Sequence, residues 1–463
     1  MSKDELSANR QSLQTEPLMG LGSIAAGTVL GWTGNITEEL KNGEFNDIEI
    51  TDFDLKWIGS FATLGAMFMC FPSGIMCEKL GRKLSMLTLT VPFIVGWLLI
   101  IFANSVEMIY IGRFLTGMVI GAFLPLLSLY IGEIAEKEIR GALVILAGVV
   151  TLGIMLAYII AYMVNPKLYT IIVATLPLLF MITFLFQPET PVYSMKQGRE
   201  AEARATLIRL RGSSYDIDAE IKEIKAVIEK DKENQTSFKD SITKTSTKKA
   251  AAICFSLMFF QQAGGINAVI FYTSDIFLSS GAKLDPKLAA IVVGALQFIP
   301  TFFSIPVIDR IGRRMLFLVS NLVMGVGLII LGVFFTLSER QFVNSQTLAN
   351  LGFMPLLGLS LFIIAFPLGS GPVPWIMSAE LFPPGIKGLA VAATSTFNWF
   401  IAFIITNFYF NIKEAIGGDV TFYVFSAVCF IGAAFAIFAV PETKGKSLYQ
   451  IQIELTYVEK RVT

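Results

Sequence analysis

Two short stretches carry the same set of charges. EKLGRKLSM, from Glu78 to Met86, and DRIGRRMLF, from Asp309 to Phe317, each read acid, base, apolar, glycine, arginine, base, and each follows a long apolar run. Carboxylates and guanidiniums at fixed offsets make ion pairs and forked hydrogen bonds. Bond-breaking chemistry needs other groups, and these are missing. Histidine is absent from all 463 residues, which removes the Ser-His-Asp triad, histidine proton relays and the commonest metal ligand. The four cysteines, Cys70, Cys77, Cys254 and Cys429, lie inside or at the ends of apolar runs. Their spacing suggests neither a zinc site nor a disulfide framework, so they read as small buried apolar side chains. No nucleophile–base pair or metal cluster emerges, and neither an enzyme nor a cofactor is expected.

The elements that must position these charges follow from composition. Hydrophobic residues make up 54% of the chain and charged ones only 16%, against about 25% charged in a soluble chain. The apolar residues come in runs of about 20, enough for a helix to cross a bilayer core. Net charge is zero, which leaves no footprint for nucleic acid. Twelve spans are expected, at 17–33, 57–77, 84–103, 107–131, 142–164 and 168–187, then at 250–275, 286–308, 315–337, 350–376, 388–410 and 420–440. This gives an all-α integral membrane protein: a tail at 1–16, six helices over 17–187, a charged segment at 188–249, six more helices over 250–440 and a tail at 441–463. In the central segment Ile217, Ile221, Ile224 and Ile228 recur at helical spacing, an amphipathic helix for the membrane surface or for the protein itself.

Short-loop charges set the orientation. Lys79, Arg82, Lys83, Arg140, Arg310, Arg313, Arg314 and Lys387 follow spans two, four, eight and ten, whereas 35–56 holds seven carboxylates and two lysines. The positive-inside rule then puts both termini and the central segment in the cytoplasm. Asn35, in Asn35-Ile36-Thr37, would sit outside as a glycosylation acceptor.

The knots also reveal a duplication. Each follows the second span of its half. Glu133 precedes Arg140-Gly141 by seven residues, as Glu380 precedes Lys387-Gly388, and the tripeptide PET closes each half, with Glu189 and Glu442. Six spans per half is an even number, so the two copies are parallel repeats about an axis along the membrane normal. The acids Glu78, Asp309, Glu133 and Glu380 can pair with nearby arginines at the cytoplasmic mouth. Such a cluster can latch the halves together and release as they rock apart.

At this point the chain resembles the sugar porter branch of the major facilitator superfamily, in GRFLTGMVIG, PETPVYSMKQGR, QQAGGINAVIFY, IDRIGRR, GPVPWIMSAELFP, NWF and PETKG. The resemblance runs from span one to Gly445, and within the family it is strongest to the facilitated trehalose and glucose transporters of insects. It implies the major facilitator fold and a sugar site between the halves. The positions it implies for sugar contact are Gln261, Gln262 and Asn267 in span seven, Gln297 in span eight, Trp375 in span ten, and Asn398 and Trp399 in span eleven. Their types suit a sugar: amides donate and accept, and tryptophan offers a flat apolar face. Amides also glue transmembrane helices together, which competes closely for Gln261 and Asn398. Gly264-Gly265 can loosen span seven, and Pro372 and Pro374 can break span ten.

The chain departs from the family pattern in several places. Glu78-Lys79 replaces the usual acid–base pair, span five has Ala147 or Gly148 at the level where glucose carriers use glutamine, and Pro367 replaces a glutamate. Smaller residues leave room for a disaccharide. Proton-coupled relatives carry an acid in span one, and MGLGSIAAGTVLGW has none. Facilitated uniport of trehalose or a hexose such as glucose, in the plasma membrane, is the expectation. The alternatives are a proton-coupled symporter, a sugar sensor, or a carrier of organic ions, which would want a charge in the cavity.

Overall fold

The computed structural model describes residues 3–134, 145–212, 215–233, 243–271, 273, 276, 285–383, 386–446 and 448–457. Arg140 lies outside them, and the side chain of Asp309 is likewise outside what is described. Every element among the described residues is a helix. The first half comprises α1 (Lys3–Lys41), α2 (Asp52–Leu80), α3 (Arg82–Ile101), α4 (Val106–Ile134), α5 (Ile145–Met163) and α6 (Pro166–Leu185). Three helices follow: α7 (Pro191–Lys196), α8 (Glu200–Arg211) and α9 (Ile217–Glu233). The second half comprises α10 (Thr245–Ala263), α11 (Ile266–Phe271), α12 (Pro286–Ile311), α13 (Arg313–Glu339), the short α14 (Ser345–Asn350), α15 (Met354–Leu368), α16 (Val373–Leu381), α17 (Lys387–Ile416) and α18 (Gly418–Phe438), and α19 (Leu448–Tyr457) comes last.

Among the described residues, ten helical segments are long and apolar enough to cross a membrane, with α10–α11 and α15–α16 each counting once. The expected runs at 17–33 and 142–164 fall on α1 and α5, so each of the twelve expected spans coincides with helix among the described residues. On α3, Leu89, Phe93 and Trp97 are buried while Val91, Val95 and Leu98 are exposed, as lipid on one side and protein on the other require.

Helix starts follow their capping residues. Thr51 and Asp54 form a capping box at α2, with Thr51 N–H donating to Asp54 at 2.9 Å. Asn165 accepts from Leu168 N–H at 2.9 Å at the start of α6, and Asp285 accepts from Lys287 N–H at 2.8 Å at the start of α12. Inside the first half, α2 and α4 touch backbone to backbone. A Cβ on Gly117 would stand 2.0 Å from Ala62 O, and one on Gly121 would stand 2.2 Å from Ala66 O. That close approach explains the second and third glycines of GRFLTGMVIG.

Two sequence expectations need correction. α1 does not stop near residue 33 but continues to Lys41, because NITEELK contains no helix breaker. Asn35 is therefore helical and only 5% exposed, and its amide donates to Gly31 O at 2.8 Å. A buried, bonded asparagine on a helix is not a glycan acceptor. The amphipathic helix also resolves. Ile217 and Ile221 of α9 pack on Leu207 of α8, with Ile224 and Met195 beside them, so this face covers protein and not lipid. Arg211 ties this subassembly to α4, donating to Ile134 O at 2.7 Å and pairing with Glu220 at 3.1 Å.

Candidate functional site

The halves meet along α2–α17 and α5–α12. Asn407 of α17 donates to Ser60 of α2 at 2.9 Å, and the Thr63 and Thr406 hydroxyls lie 3.4 Å apart. A Cβ on Gly294 of α12 would stand 2.9 Å from the Tyr158 ring of α5. At the end away from the knots the halves are clasped together. Glu39 of α1 pairs with Lys287 of α12, Tyr158 donates to Ile270 O at 3.2 Å, and Lys56 donates to Asn411 at 3.2 Å. Gly34 of α1 presses against α11, where a Cβ would stand 2.7 Å from Ile270 O. At the knot end, by contrast, the ion pairs among the described residues join members of one half.

The amides of spans seven and eleven come together in the middle of the second half. Span seven breaks as expected: α10 ends at Ala263, Gly265 takes φ +91°, and α11 begins at Ile266. Span ten breaks between α15 and α16, where Pro374 has no N–H to meet the Ser370 carbonyl. Gln261 supplies the missing donor. Its amide nitrogen reaches Ser370 O at 2.9 Å and Gly371 O at 2.6 Å. Asn398 donates to Gln261 Oε1 at 2.8 Å, Gln262 donates to Asn398 Oδ1 at 2.8 Å, and Asn267 donates to Gln262 Oε1 at 2.6 Å. Asn398 is 0% exposed and Gln261 2%, so both stand behind Gln262 and Asn267 in this state.

The other expected contacts lie apart from this chain of amides. Gln297 is buried on α12, one helical turn from Gly294 and on the same face, toward α5. Its amide makes no hydrogen bond among the described residues. Trp375 lies in the first turn of α16 and is 36% exposed, whereas Trp399 is half-buried against the core. Neither indole stacks on a described ring.

The charged residues form two clusters built alike. Buried Arg82 donates twice to Glu133, at 2.7 and 3.1 Å, and lies over the Tyr193 ring. Glu189 accepts from the N–H groups of Arg82 and Lys83, each at 3.1 Å, and so caps α3. In the second half Arg313 donates to Glu380 at 3.1 Å, and Glu442 accepts from the N–H groups of Arg313 and Arg314 at 3.0 and 3.1 Å, capping α13. Even the outer bonds repeat: Lys83 donates to Leu185 O and Arg314 to Ile437 O. Burial pushes the Glu189 carboxyl above the ordinary carboxylate range, and its three main-chain donors pull it back. Glu78 is peripheral, 3.6 Å from both Arg82 and Lys196. Arg310 is exposed and offers its carbonyl to Lys444, and Lys387 lies in the first turn of α17, outside the cluster.

The family model described as "Sugar (and other) transporter" matches residues 11–455. The chain belongs to this family. Among curated relatives in the transporter family, the facilitated trehalose transporter Tret1 of Polypedilum vanderplanki is 37% identical over 436 residues, covering 94% of this chain and 86% of that protein. The Tret1 of Culex quinquefasciatus is 36% identical and 84% covered, while the chain spans 54% of the Tret1 of Aedes aegypti. Among solved transporters, the inward-open conformation of the xylose transporter XylE from E. coli superposes with a TM-score of 0.78 at 21% identity, covering 96% of this chain and 99% of that one. XylE bound to 6-bromo-6-deoxy-D-glucose gives 0.76 at 22% identity, covering 97% and 99%. The fold is that of the major facilitator superfamily.

Sequence reasoning about this transporter missed the Glu39–Lys287 clasp and the two carbonyls that Gln261 holds. Nothing in the local pattern links residues 248 positions apart. The carbonyls had a signal: the prolines that follow them orphan one of the pair.

Proposed function

We propose that this chain is a facilitative sugar carrier that moves trehalose or a hexose by alternating access, without a coupled ion. The observation that carries the reading is the row of neutral amides inside the second of two six-helix halves, which among the described residues are clasped at the end away from the knots. The knot end is then the cytoplasmic mouth, both termini are cytoplasmic, and the state described is inward-open. Neutral donors and acceptors suit a ring of hydroxyls and give an organic ion no counter-charge. The names of the insect relatives support trehalose, and the plasma membrane is the natural site for such a carrier.

Uniport rests on span one. It carries no carboxylate over 17–37, and the buried Arg113 donates to Val29 O at 3.0 Å, Ile58 O at 3.2 Å and Thr33 Oγ1 at 2.8 Å. Its guanidinium also sits over the Trp32 ring. Purified protein in liposomes, given labelled trehalose, glucose, fructose and a polyol, tests the reading. Sugar should equilibrate without accumulating, whatever pH or sodium gradient is imposed. Proton-driven accumulation would establish the symporter reading instead, and binding without flux would make the chain a sensor.

A further inference from the structure

We propose that Ser320 of α13 is a positioning residue for transport. Its hydroxyl pins the break in span ten, so that α16 travels with α13 as one body. The proposal rests on the sugar-carrier reading and deepens it.

At the break two bonds of a continuous helix are missing. In such a helix Gly369 N–H would donate to Ala365 O, and Ser370 N–H to Phe366 O. Instead Gly369 N–H turns to Phe366 O at 3.3 Å, and Gly371 N–H takes the same oxygen at 2.8 Å. An acceptor on one side of the break and a donor on the other are left to find partners away from water. Ser320 Oγ meets both. It donates to Ala365 O at 2.8 Å and accepts from Ser370 N–H at 2.9 Å. Its single proton belongs to Ala365 O, because Met324 Sδ, at 3.6 Å, is a weak acceptor. The joint also lies directly on α13. A Cβ on Gly369 would stand 2.3 Å from Leu316 O and 2.7 Å from Ser320 Cβ.

The duplication supplies an internal comparison. Leu89 follows Arg82 by seven residues, as Ser320 follows Arg313, and Pro125 precedes Glu133 by eight, as Pro372 precedes Glu380. Yet α4 runs through Pro125 unbroken, and α3 has no hydroxyl at the matching position. The pin goes with the break and not with the repeat. It also gives α13 a second hold on α16, since Arg313 donates to Glu380 near the other end of that helix at 3.1 Å. A hydroxyl rotates, so its proton and lone pairs can follow both main-chain groups through a modest change of angle. The joint can then bend without orphaning either group, and a tilt of α13 carries α16 with it.

The test uses the full-length protein with trehalose as the probe, read by equilibrium binding, turnover in liposomes, Tm and amide hydrogen exchange of the peptide Phe366–Trp375. In the wild type this peptide should exchange as slowly as the helices that flank it, despite the break. Rapid exchange there would overturn the pin before any variant is made. In Ser320→Ala exchange of the peptide should quicken about tenfold and turnover should fall about tenfold, while trehalose affinity stays within about threefold, the signature of an interaction outside ground-state binding. Ser378→Ala is the control: it removes a buried hydroxyl that donates to Pro374 O at 2.8 Å, inside α16 and not across the break. It should leave turnover within about threefold even where its Tm falls as far. If Ser320→Ala does not fold, Gly369→Ala decides, because it keeps the hydroxyl but pushes the joint off α13, and it should show the same split between turnover and affinity. Wild-type turnover in Ser320→Ala, or an equal loss of turnover in Ser378→Ala, would make Ser320 a structural residue and overturn the proposal. Equal losses of affinity and turnover would overturn it as well, by placing Ser320 in the binding site. A wild type that neither binds nor moves any sugar would overturn the carrier reading beneath it.

Discussion

Glu39 of α1 and Lys287 of α12 form an ion pair between the two halves, at the end opposite the charged knots. The Glu39 side chain is 9% exposed and that of Lys287 34%, so the pair is partly shielded from water. A pair in that setting contributes more than a surface bridge, and it exists only while this end is shut. It therefore weighs on the balance between the two open states.

Lys287→Gln should tilt that balance toward the state open at the clasped end. Leaving Glu39 without its cation costs about 1–3 kcal/mol, between the values for exposed and buried pairs. That is roughly 5- to 150-fold in the ratio of states. Spin labels at the exposed Glu44 and Glu414, one in each half, report the distance directly. A population of longer distances should grow in the variant. An unchanged distribution would mean that Tyr158, Lys56 and Gly34 hold the end shut without the pair.

The duplicated caps predict a duplicated phenotype. Glu189→Gln and Glu442→Gln each replace an acceptor-only carboxylate by an amide whose NH₂ group confronts main-chain N–H groups. Both should slow transport more than they weaken sugar binding, and to similar extents, because the two caps match bond for bond. Arg82→Ala and Arg313→Ala should do the same, with Arg82 the more destabilising since it is buried. Equal losses in binding and turnover would place these clusters in the sugar site.

Titration gives Glu189 a second test. Its carboxyl is raised by burial, so the folded protein holds the proton more tightly than the unfolded chain. The linked stability is present below the unfolded value and is lost as pH rises through the folded one. The Tm of the wild type, compared with that of Glu189→Gln, should therefore fall as pH rises through the range just above ordinary glutamate. Parallel Tm curves would show that the cap does not titrate there.

The two glycines of the knots have a separate, steric role. Gly81 takes φ +91° and Gly312 φ +101°, and a Cβ at either would stand within 2.5 Å of the capping carboxylate. Gly81→Ala should cost about 1–3 kcal/mol from backbone conformation alone, since that region belongs to glycine. Displacement of Glu189 adds to it. A Tm indistinguishable from that of the wild type would show that the joint between α2 and α3 is more pliant than its geometry.

Much of this was legible in the sequence because it is local or repeated. Span length comes from hydropathy, the breaks in spans seven and ten come from Gly264-Gly265 and from Pro372 and Pro374, and the caps come from motifs that occur twice. Asn35 was misread because charge marks a loop only where a breaker ends the helix, and here α1 runs on to Lys41. The chain of amides was half legible. The residue types were visible, but the direction of donation is set by two main-chain carbonyls far away in the sequence. The same holds for the Glu39–Lys287 pair, which exists only once the halves have met.

Gln297 separates sugar contact from helix glue most sharply. It is 5% exposed on α12, faces the seam beside Gly294, and its amide has no protein partner among the described residues. Its amide has no protein hydrogen bond to lose, so Gln297→Leu should leave the Tm nearly unchanged. If a sugar hydroxyl is the missing partner, trehalose affinity should fall by about 1–3 kcal/mol, or roughly 5- to 150-fold. Gln262→Ala should behave differently, because it removes bonds to both Asn267 and Asn398, so stability and affinity fall together. Measuring the Tm and trehalose binding on both purified variants distinguishes the two positions. A Gln297→Leu protein that melts earlier and binds trehalose as the wild type does would make Gln297 a structural residue and leave the site to the amides of span seven.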